Sequence, residues 1–555
     1  MKKPRHLLIK GDDFILNALK QLEETKERTL ICVDEEDRLI GVIADGDIRR
    51  ALIAGHTITS PIEVCVQKNP VYISSQASYE QAMKLLSDRV RLLPITDKSH
   101  KVIDCYTYRE KSLTEDIKLR NIAVFGLGYA GLTLALALAD NGFNVLGYDI
   151  SEELIGQLQK KKAPFFESGL QSVLEAVVGR NLHLDATSDN IKADIYIMTV
   201  GTPVNKDTRR PEVDSVVQSS LSIGKLLKRN DTVILRSTIP VGCSRNIVLP
   251  ELEATSGLTC GEQFCFAFAP ERTTEGKALL ELRSNPQIVG GYDTKSAEIV
   301  GQLFNTITPS VLNAGSLEAA ELCKLIDNCY RDHMFSFVNQ LVPLTEHLGL
   351  DLCKVVDAAN FGYPRNNVPK PSPGVGGPCL TKDPYILASV LDQYGIDCSL
   401  LHASRKANEF GPHHVYDKIN NLLAIAGKDI NKSVISLVGM AFKGNPETSD
   451  LRDSMSLLLL DRLRGTSASI RAYDPVVSRE DLVKLPLTPV TLEDAFDGAD
   501  TIVIMNNHQS YINWNLPALV SKMNHPAVFI DTWHIFDPMD IKVLKGIIYG
   551  GLGND

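Results

Sequence analysis

Apolar positions in the first 110 residues fall into short runs. Residues 30–33 and 39–44 read as strands around the acidic turn 34–37, and 46–52 has the spacing of a helix. A weaker copy follows, with a strand at 70–73, a helix at 78–87 and strands at 92–96 and 102–106 around Asp97. Two β-α-β-β-α halves in this span predict an internal duplication. Residues 111–120 are polar, alternate in charge and read as a linker. Beyond them a buried-strand run at 121–125 leads into glycine-rich 126–131, an apolar helix at 132–139 and a strand at 144–148. Strands at 195–200, 232–235 and 264–269 continue the alternation to about residue 312, the pattern of a doubly wound α/β sheet. Between 316 and 347 only Pro343 interrupts, which predicts a long central helix kinked near its end. A Pro/Gly-rich loop fills 363–378, and strands at 434–438, 469–473, 501–505 and 528–531 predict a second α/β domain.

The chain has 555 residues, 44% hydrophobic and 23% charged, which excludes fibrous, collagen-like and disordered classes. Its net charge of −10 argues against nucleic acid as the main partner and leaves room for a small anionic ligand at a local basic site. No run approaches the roughly 20 apolar residues of a membrane span. The apolar stretch after the basic start covers only residues 7–9, too short for a signal-peptide core. Eleven scattered cysteines without metal-type spacing predict a free-thiol protein of the reducing cytoplasm, with no metal site.

Gly126, Gly128 and Gly131 form G-x-G-x-x-G between a strand and a helix, with Tyr129 and Ala130 inside the turn. The first glycine permits the turn, the second admits a pyrophosphate and the third allows close helix packing. Asp149 ends the next strand, where an acid bonds the adenine ribose. Ser151, Glu152 and Glu153 follow it with no arginine for a 2′-phosphate, so the cofactor reads as NAD rather than NADP. A Rossmann-like domain with another ligand, or none, is the alternative.

Two more segments carry chemistry. Glycines 374, 376 and 377 precede Cys379, and Lys382 and Asp383 lie one helical turn beyond it. A lysine lowers a thiol pKa, and an acid orients or deprotonates water. In the helical stretch 321–331, Lys324 and Asn328 share a face and suit an oxyanion and a water. Taken singly, each has a bland reading: an inert buried thiol, or a solvated helix face.

From about residue 120 onward the chain resembles the nucleotide-sugar 6-dehydrogenases. The motifs that carry the resemblance are GLGYAG (126–131), VGTP (200–203), STIPVG (237–242), APERTTEGKA (269–278), ELCKLIDNCYR (321–331), GVGGPCLTKD (374–383), GMAFKGNPETSDLRDS (439–454), YDP (473–475) and DTW (531–533). The resemblance implies an α/β fold with an NAD-binding Rossmann domain at 119–312. A central helical, dimerising segment with the cysteine loop follows at 313–425, and a UDP-sugar-binding Rossmann-like domain at 426–555. It implies NAD-dependent four-electron oxidation of a sugar C6 alcohol to a uronate. Cys379 would be the nucleophile, Lys324 and Asn328 the oxyanion and water holders, Asp383 a base or water-orienting group, Glu271 the acid of hydrolysis, and Thr238 a neighbour of the reacting alcohol. Thr202, Glu275 and Lys443 would complete the cofactor cleft beside Gly126, Gly128, Tyr129, Ala130, Gly131 and Asp149. Arg272, Lys324, Arg365, Gly374, Val375, Gly376 and Arg452 would hold the UDP-sugar.

With Val375 between the loop glycines, and Pro364-Arg365 and Pro371-Ser372-Pro373 before it, the loop resembles the N-acetylhexosamine branch of that family, and the resemblance implies such a substrate. UDP-N-acetylmannosamine comes first and UDP-N-acetylglucosamine next. Lys382 and the P-E-x-x-x-E-G form keep UDP-glucose open. Residues 1–112 resemble a pair of CBS modules through GVIADGDIRRAL (41–52), with Asp47 where that family places an acid on a nucleotide ribose. Ala44 and Thr107 depart from the pattern, so an adenine-nucleotide site and a ligand-free, structural or dimerising module both stand. A homodimer or larger homo-oligomer is expected. The competing classes are a two-electron hydroxyacid-type dehydrogenase, which needs no thiol, and a nucleotide sensor with a degenerate dehydrogenase.

Overall fold

The computed structural model describes residues 5–25, 28–75, 85, 90–107, 117–188 and 191–554. It forms two compact units, Met1–Asp116 and Ile117–Asp555. In the first, β1 (Leu8–Lys10) runs parallel to β2 (Thr29–Val33), which pairs antiparallel with β3 (Leu39–Ala44). The second half repeats this: β4 (Ile73–Ser74) is parallel to β5 (Leu92–Thr96), which pairs antiparallel with β6 (Val102–Thr107). Both hairpins shift register near the turn, at Cys32/Val33 and at Ile95/Thr96. The duplication is therefore visible in the sheets, although β4 is shorter than the 70–73 strand expected. The helix expected at 78–87 and the linker up to residue 116 lie outside the described residues, residue 85 excepted. Helix Ile15–Thr25 buries Ile15, Ala18 and Leu22, one apolar stripe against the first sheet.

The second unit holds two sheets. The first has the order β14-β13-β12-β11-β10-β7-β8-β9, with β7 at Ile122–Phe125, β8 at Val145–Tyr148, β9 at Leu182–Asp185 and β10 at Ile195–Met198. It continues through β11 (Thr232–Leu235), β12 (Cys265–Phe268), β13 (Gln287–Gly291) and β14 (Val311–Asn313). All its pairs are parallel except β12–β13. The fully buried central strands explain why the sequence shows continuous apolar runs there. The second sheet is all parallel, in the order β17-β16-β15-β18-β19-β20, with β15 at Val434–Val438, β16 at Ser469–Tyr473, β17 at Thr488–Pro489, β18 at Thr501–Ile504, β19 at Ala527–Asp531 and β20 at Ile547–Gly551. The strand order reverses at β7/β10 in one sheet and at β15/β18 in the other, the points where open α/β sheets leave a ligand crevice.

Between the sheets the central helix runs Leu317–Asn339, begun by Ser316 Oγ accepting the Ala319 N–H. It does not continue to 347. The chain breaks at 340–341 and restarts as Val342–Leu348, with Pro343 in the first turn where its missing N–H costs nothing. The longest described helix, Ser399–Ile425, carries Pro412 in its interior. No described helix is long and apolar enough to cross a membrane.

Candidate active site

The turn after β7 is shaped by one close approach: a Cβ on Gly131 would lie 1.8 Å from the Gly126 carbonyl oxygen. Gly128 caps the helix Tyr129–Asp140 and has open space where a side chain would be. The free N–H groups of that first turn, including those of Tyr129 and Ala130, suit a pyrophosphate, and the buried apolar helix behind them holds the turn rigid. Asp149 Oδ2 accepts the Leu127 N–H at 2.7 Å, and Oδ1 accepts that of Ser151 at 2.9 Å. The acid at the ribose position thus also fixes the glycine turn. The Tyr129 hydroxyl donates to buried Glu167, and the Gly276 N–H reaches both (2.8 and 2.6 Å). These features fit a dinucleotide. Across the switch point, the Thr202 hydroxyl donates to the Thr238 carbonyl and Ser237 Oγ donates to the Val200 carbonyl at 2.6 Å. The segments after β10 and β11 are thereby tied together.

The cysteine loop is packed from both sides. A Cβ on Gly376 would stand 2.2 Å from the Asp453 carbonyl oxygen. Gly374 and Val375 are buried, and the Val375 carbonyl accepts from Arg405 at 3.3 Å. Arg405 is fully buried and ion-paired with Asp332. From Cys379 the chain makes a helical turn: its carbonyl accepts the N–H of Lys382 (3.2 Å) and of Asp383 (3.0 Å). Cys379 is exposed, one turn from a fully buried acid. Asp383 Oδ1 accepts from Lys382 Nζ at 2.6 Å and Oδ2 accepts from Asn328 Nδ2 at 2.5 Å. A carboxylate only accepts, so this contact fixes the Asn328 amide and leaves its oxygen for a different donor. Lys324 lies one turn earlier on the central helix, buried like Asn328. Crowding by protein and the Asp383 charge push the Cys379 thiol above its ordinary pKa, while Lys324 and Lys382 pull it back.

Acids and bases from three elements close the cleft. Burial alone would raise the Glu271 carboxyl. Arg236 (2.7 and 3.2 Å) and the Thr273 N–H (2.7 Å) outweigh it and hold the group below its ordinary value. Arg272 Nε pairs with Asp327 at 2.7 Å, next to Asn328. Burial and the nearby Asp450 push Glu275 up to about 7, and burial lowers Lys443 to about 8. Lys443 Nζ donates to the Glu275 carbonyl at 2.7 Å, and Arg452 lies 3.7 Å from Glu275 Oε1 while pairing with Asp450 at 2.5 Å. A cavity of about 320 Å³ is lined by Arg272, Lys324, Asn328, Tyr330 and Arg331. A larger one, about 800 Å³, is lined by Thr202, Lys206, Arg209, Lys382, Arg405 and Arg452.

Two expected residues stand apart. Arg365 is exposed, 6.0 Å from the Tyr363 ring, and makes no hydrogen bond or ion pair with the other site residues among the described contacts. Asp47 is buried and spends its carboxylate internally: Oδ2 accepts the Ala44 N–H at 2.9 Å, and Oδ1 accepts from Arg50 (2.5 Å) and Gln67 (2.9 Å). It closes the capping box of helix Asp45–Ile53. Arg236 and Arg405 escaped the sequence reading. A signal for Arg236 existed, a lone cation directly after the apolar strand 232–235.

Models of the UDP-glucose/GDP-mannose dehydrogenase family match three stretches: the NAD-binding domain at 120–308, the central domain at 318–410 and the UDP-binding domain at 436–538. The chain belongs to that family. It is an NAD-dependent nucleotide-sugar dehydrogenase, with NAD as cofactor. A CBS domain model matches residues 3–54. The chain is 30% identical over 434 residues to the UDP-N-acetyl-D-mannosamine dehydrogenase of Pyrococcus horikoshii, covering 78% of this chain and 99% of that one. The solved structure of the P. horikoshii enzyme superimposes with a TM-score of 0.71 over the same shares of both chains. The Campylobacter jejuni enzyme of the same name is 31% identical over 414 residues, 73% of this chain and 99% of that one. An NDP-N-acetyl-D-galactosaminuronic acid dehydrogenase of Ralstonia nicotianae is 28% identical over 424 residues, 75% and 96%.

Proposed function

We propose that this enzyme oxidises the C6 alcohol of UDP-N-acetyl-D-mannosamine to the carboxylate, through a covalent bond to Cys379. The observation that carries the reading is an exposed thiol one helical turn from buried Asp383, which holds Asn328 of the central helix, with Lys324 near enough to act on the thiol by its charge. Bound NAD supplies the hydride acceptor, once for the alcohol and once for the thiol adduct. Thr238, tied to Thr202, stands by the reacting alcohol. Cys379 attacks the aldehyde: the S–C bond forms, the carbonyl π bond breaks and the S–H proton passes to the former carbonyl oxygen, giving a thiohemiacetal. While that oxygen carries the developing charge, Lys324 provides a cation and Asn328 a dipole. After the second oxidation a thioester remains. Water adds to it, guided by Asp383 and Asn328, and Cys379 leaves as thiol. Glu271, locked to Arg236, anchors this pocket as a fixed anion. One sugar thus gains one oxygen from water and gives four electrons.

Gly128, Tyr129, Ala130 and Asp149 would hold the cofactor. Arg452 and Arg272 would hold the diphosphate end of the substrate, and Lys443 and Glu275 would complete the cofactor cleft beside them. Identity of about 30% across nearly the whole length of enzymes named for UDP-N-acetyl-D-mannosamine supports that sugar. The Ralstonia relative supports an N-acetylgalactosamine-type substrate as the second reading. A cytoplasmic homo-oligomer is part of the proposal. So is an adenine nucleotide at the CBS unit, near Asp47. Purified enzyme with NAD and each of UDP-N-acetylmannosamine, UDP-N-acetylglucosamine, UDP-N-acetylgalactosamine and UDP-glucose tests the sugar. The highest kcat/KM belongs to the first, and a preference for UDP-glucose overturns the choice.

A further inference from the structure

The central helix carries a buried acid that the chemistry above leaves unused. Glu321 lies one turn before Lys324 and two before Asn328, only 1% exposed. Its partners belong to a different element. Oε2 accepts the Gly242 N–H at 2.6 Å and Oε1 accepts the Ser244 N–H at 2.9 Å. Those N–H groups open the helical run 243–256, so a side chain from the central helix caps the start of a second helix. The segment leading into that start is 237–242, which contains Thr238. Its near end is fixed by the Ser237–Val200 and Thr202–Thr238 hydrogen bonds. Its far end is fixed by Glu321. A second tie between the same two helices, Arg245 to Glu318 at 2.6 Å, is partly exposed, with side chains 39% and 33% accessible. Screening by water makes it the weaker restraint.

We propose that Glu321 is a positioning residue for the oxidation: by capping Gly242 and Ser244 from the central helix, it sets where Thr238 stands relative to Lys324 and Asn328. This rests on the reading of those three residues as the groups around the reacting carbon. In Glu321→Gln one side-chain oxygen becomes an N–H₂ that meets a backbone N–H donor to donor, so the segment has to shift. A shift of about 1 Å at reacting groups costs on the order of 10²-fold in rate.

The test is a double-mutant cycle on kcat, using Glu321→Gln, Thr238→Ala and both together, with saturating NAD and the sugar that the wild-type enzyme turns over. Glu321→Gln is expected to lower kcat on the order of 10²-fold. The KM for the UDP-sugar should stay within about twofold, because the UDP contacts lie elsewhere. In the Thr238→Ala background the same change should cost less than about threefold, since the group it positions is gone. Glu318→Gln, which breaks the exposed tie, should leave kcat within about twofold. If Glu321→Gln unfolds the protein, Glu321→Asp serves instead: it keeps the charge, is shorter by one methylene, and should show a smaller loss with the same non-additivity. Equal losses in both backgrounds would overturn the proposal, as would a change confined to KM. A wild-type enzyme inactive with every UDP-sugar would instead defeat the functional reading, and that is seen before any variant is compared.

Discussion

Replacing Arg236 by methionine isolates the ion pair that holds Glu271. The Arg236 side chain is 1% exposed and that of Glu271 13%. Arg236 also donates to the Ala269 carbonyl and to Gln287 Oε1, each at 3.0 Å. Methionine fills much of the space and supplies none of these donors, leaving Glu271 with the Thr273 N–H alone among the contacts described here. Removing one partner of a buried pair costs about 3–5 kcal/mol. The pH dependence carries the diagnosis. In the wild-type protein the Glu271 pKa is depressed, so its contribution to stability is present above the ordinary carboxyl pKa and fades as pH falls below it. In the variant only burial acts strongly, the pKa moves above the ordinary value, and the ionised form costs stability as pH rises. The gap between the two proteins therefore widens from about pH 4 to pH 7. Urea unfolding at both pH values measures it, with a loss at pH 7 expected to exceed that at pH 4.5 by at least ~1 kcal/mol. Adding Glu271→Gln to Arg236→Met should recover part of the loss and flatten its pH dependence. A gap independent of pH, or one untouched by the second substitution, would refute the argument.

Lys443, lowered to about 8 by burial, should set an alkaline limit on kcat/KM, because an ammonium expected in the cofactor cleft is lost above that pH. Lys443→Arg should weaken the peak and extend the plateau beyond about pH 9, where a guanidinium keeps its charge. A wild-type pH profile flat from 7 to ~9.5 contradicts this. Burial alone would raise Glu346. His414 (2.8 Å), Lys418 (2.9 Å) and the Gly553 N–H (3.0 Å) more than offset it and pull the carboxyl down to about 2, which pins the C-terminal tail to the central helices. That depression is worth about 3 kcal/mol above the ordinary carboxyl pKa and is lost as pH falls toward the folded value. Glu346→Gln should therefore cost most of it at pH 7 and less than half of it near pH 3 in urea unfolding, and equal stability at pH 7 would contradict the account.

Much of the fold was legible because it is local. The buried strands at 122–125, 195–198 and 232–235 are continuous apolar runs, and the glycine turn at 126–131 sits between a strand and a helix in sequence as in space. The i,i+4 relation of Cys379 and Asp383, and of Lys324 and Asn328, also follows from helical spacing alone. What escaped depends on contacts between distant segments. Arg236 and Glu271 are 35 positions apart, and Arg405 and Asp332 are 73 apart, so no periodicity announces either pair. Asp47 looks like a ligand acid in its motif, yet the Gln67 amide, 20 positions on, helps turn it inward. The helix Ser399–Ile425 runs on through Pro412, which local propensity disfavours and which tertiary packing has to offset. Pro343 did mark a real break, since there the chain restarts rather than bends.

The central claim is covalent four-electron oxidation at Cys379. Its most direct test is NADH formed per UDP-N-acetylmannosamine consumed, by wild type and by Cys379→Ser. The account predicts two NADH per sugar and a carboxylate product from the wild type, and a variant in which that turnover is lost. One NADH per sugar, or a variant that still makes the uronate at the wild-type rate, would contradict it.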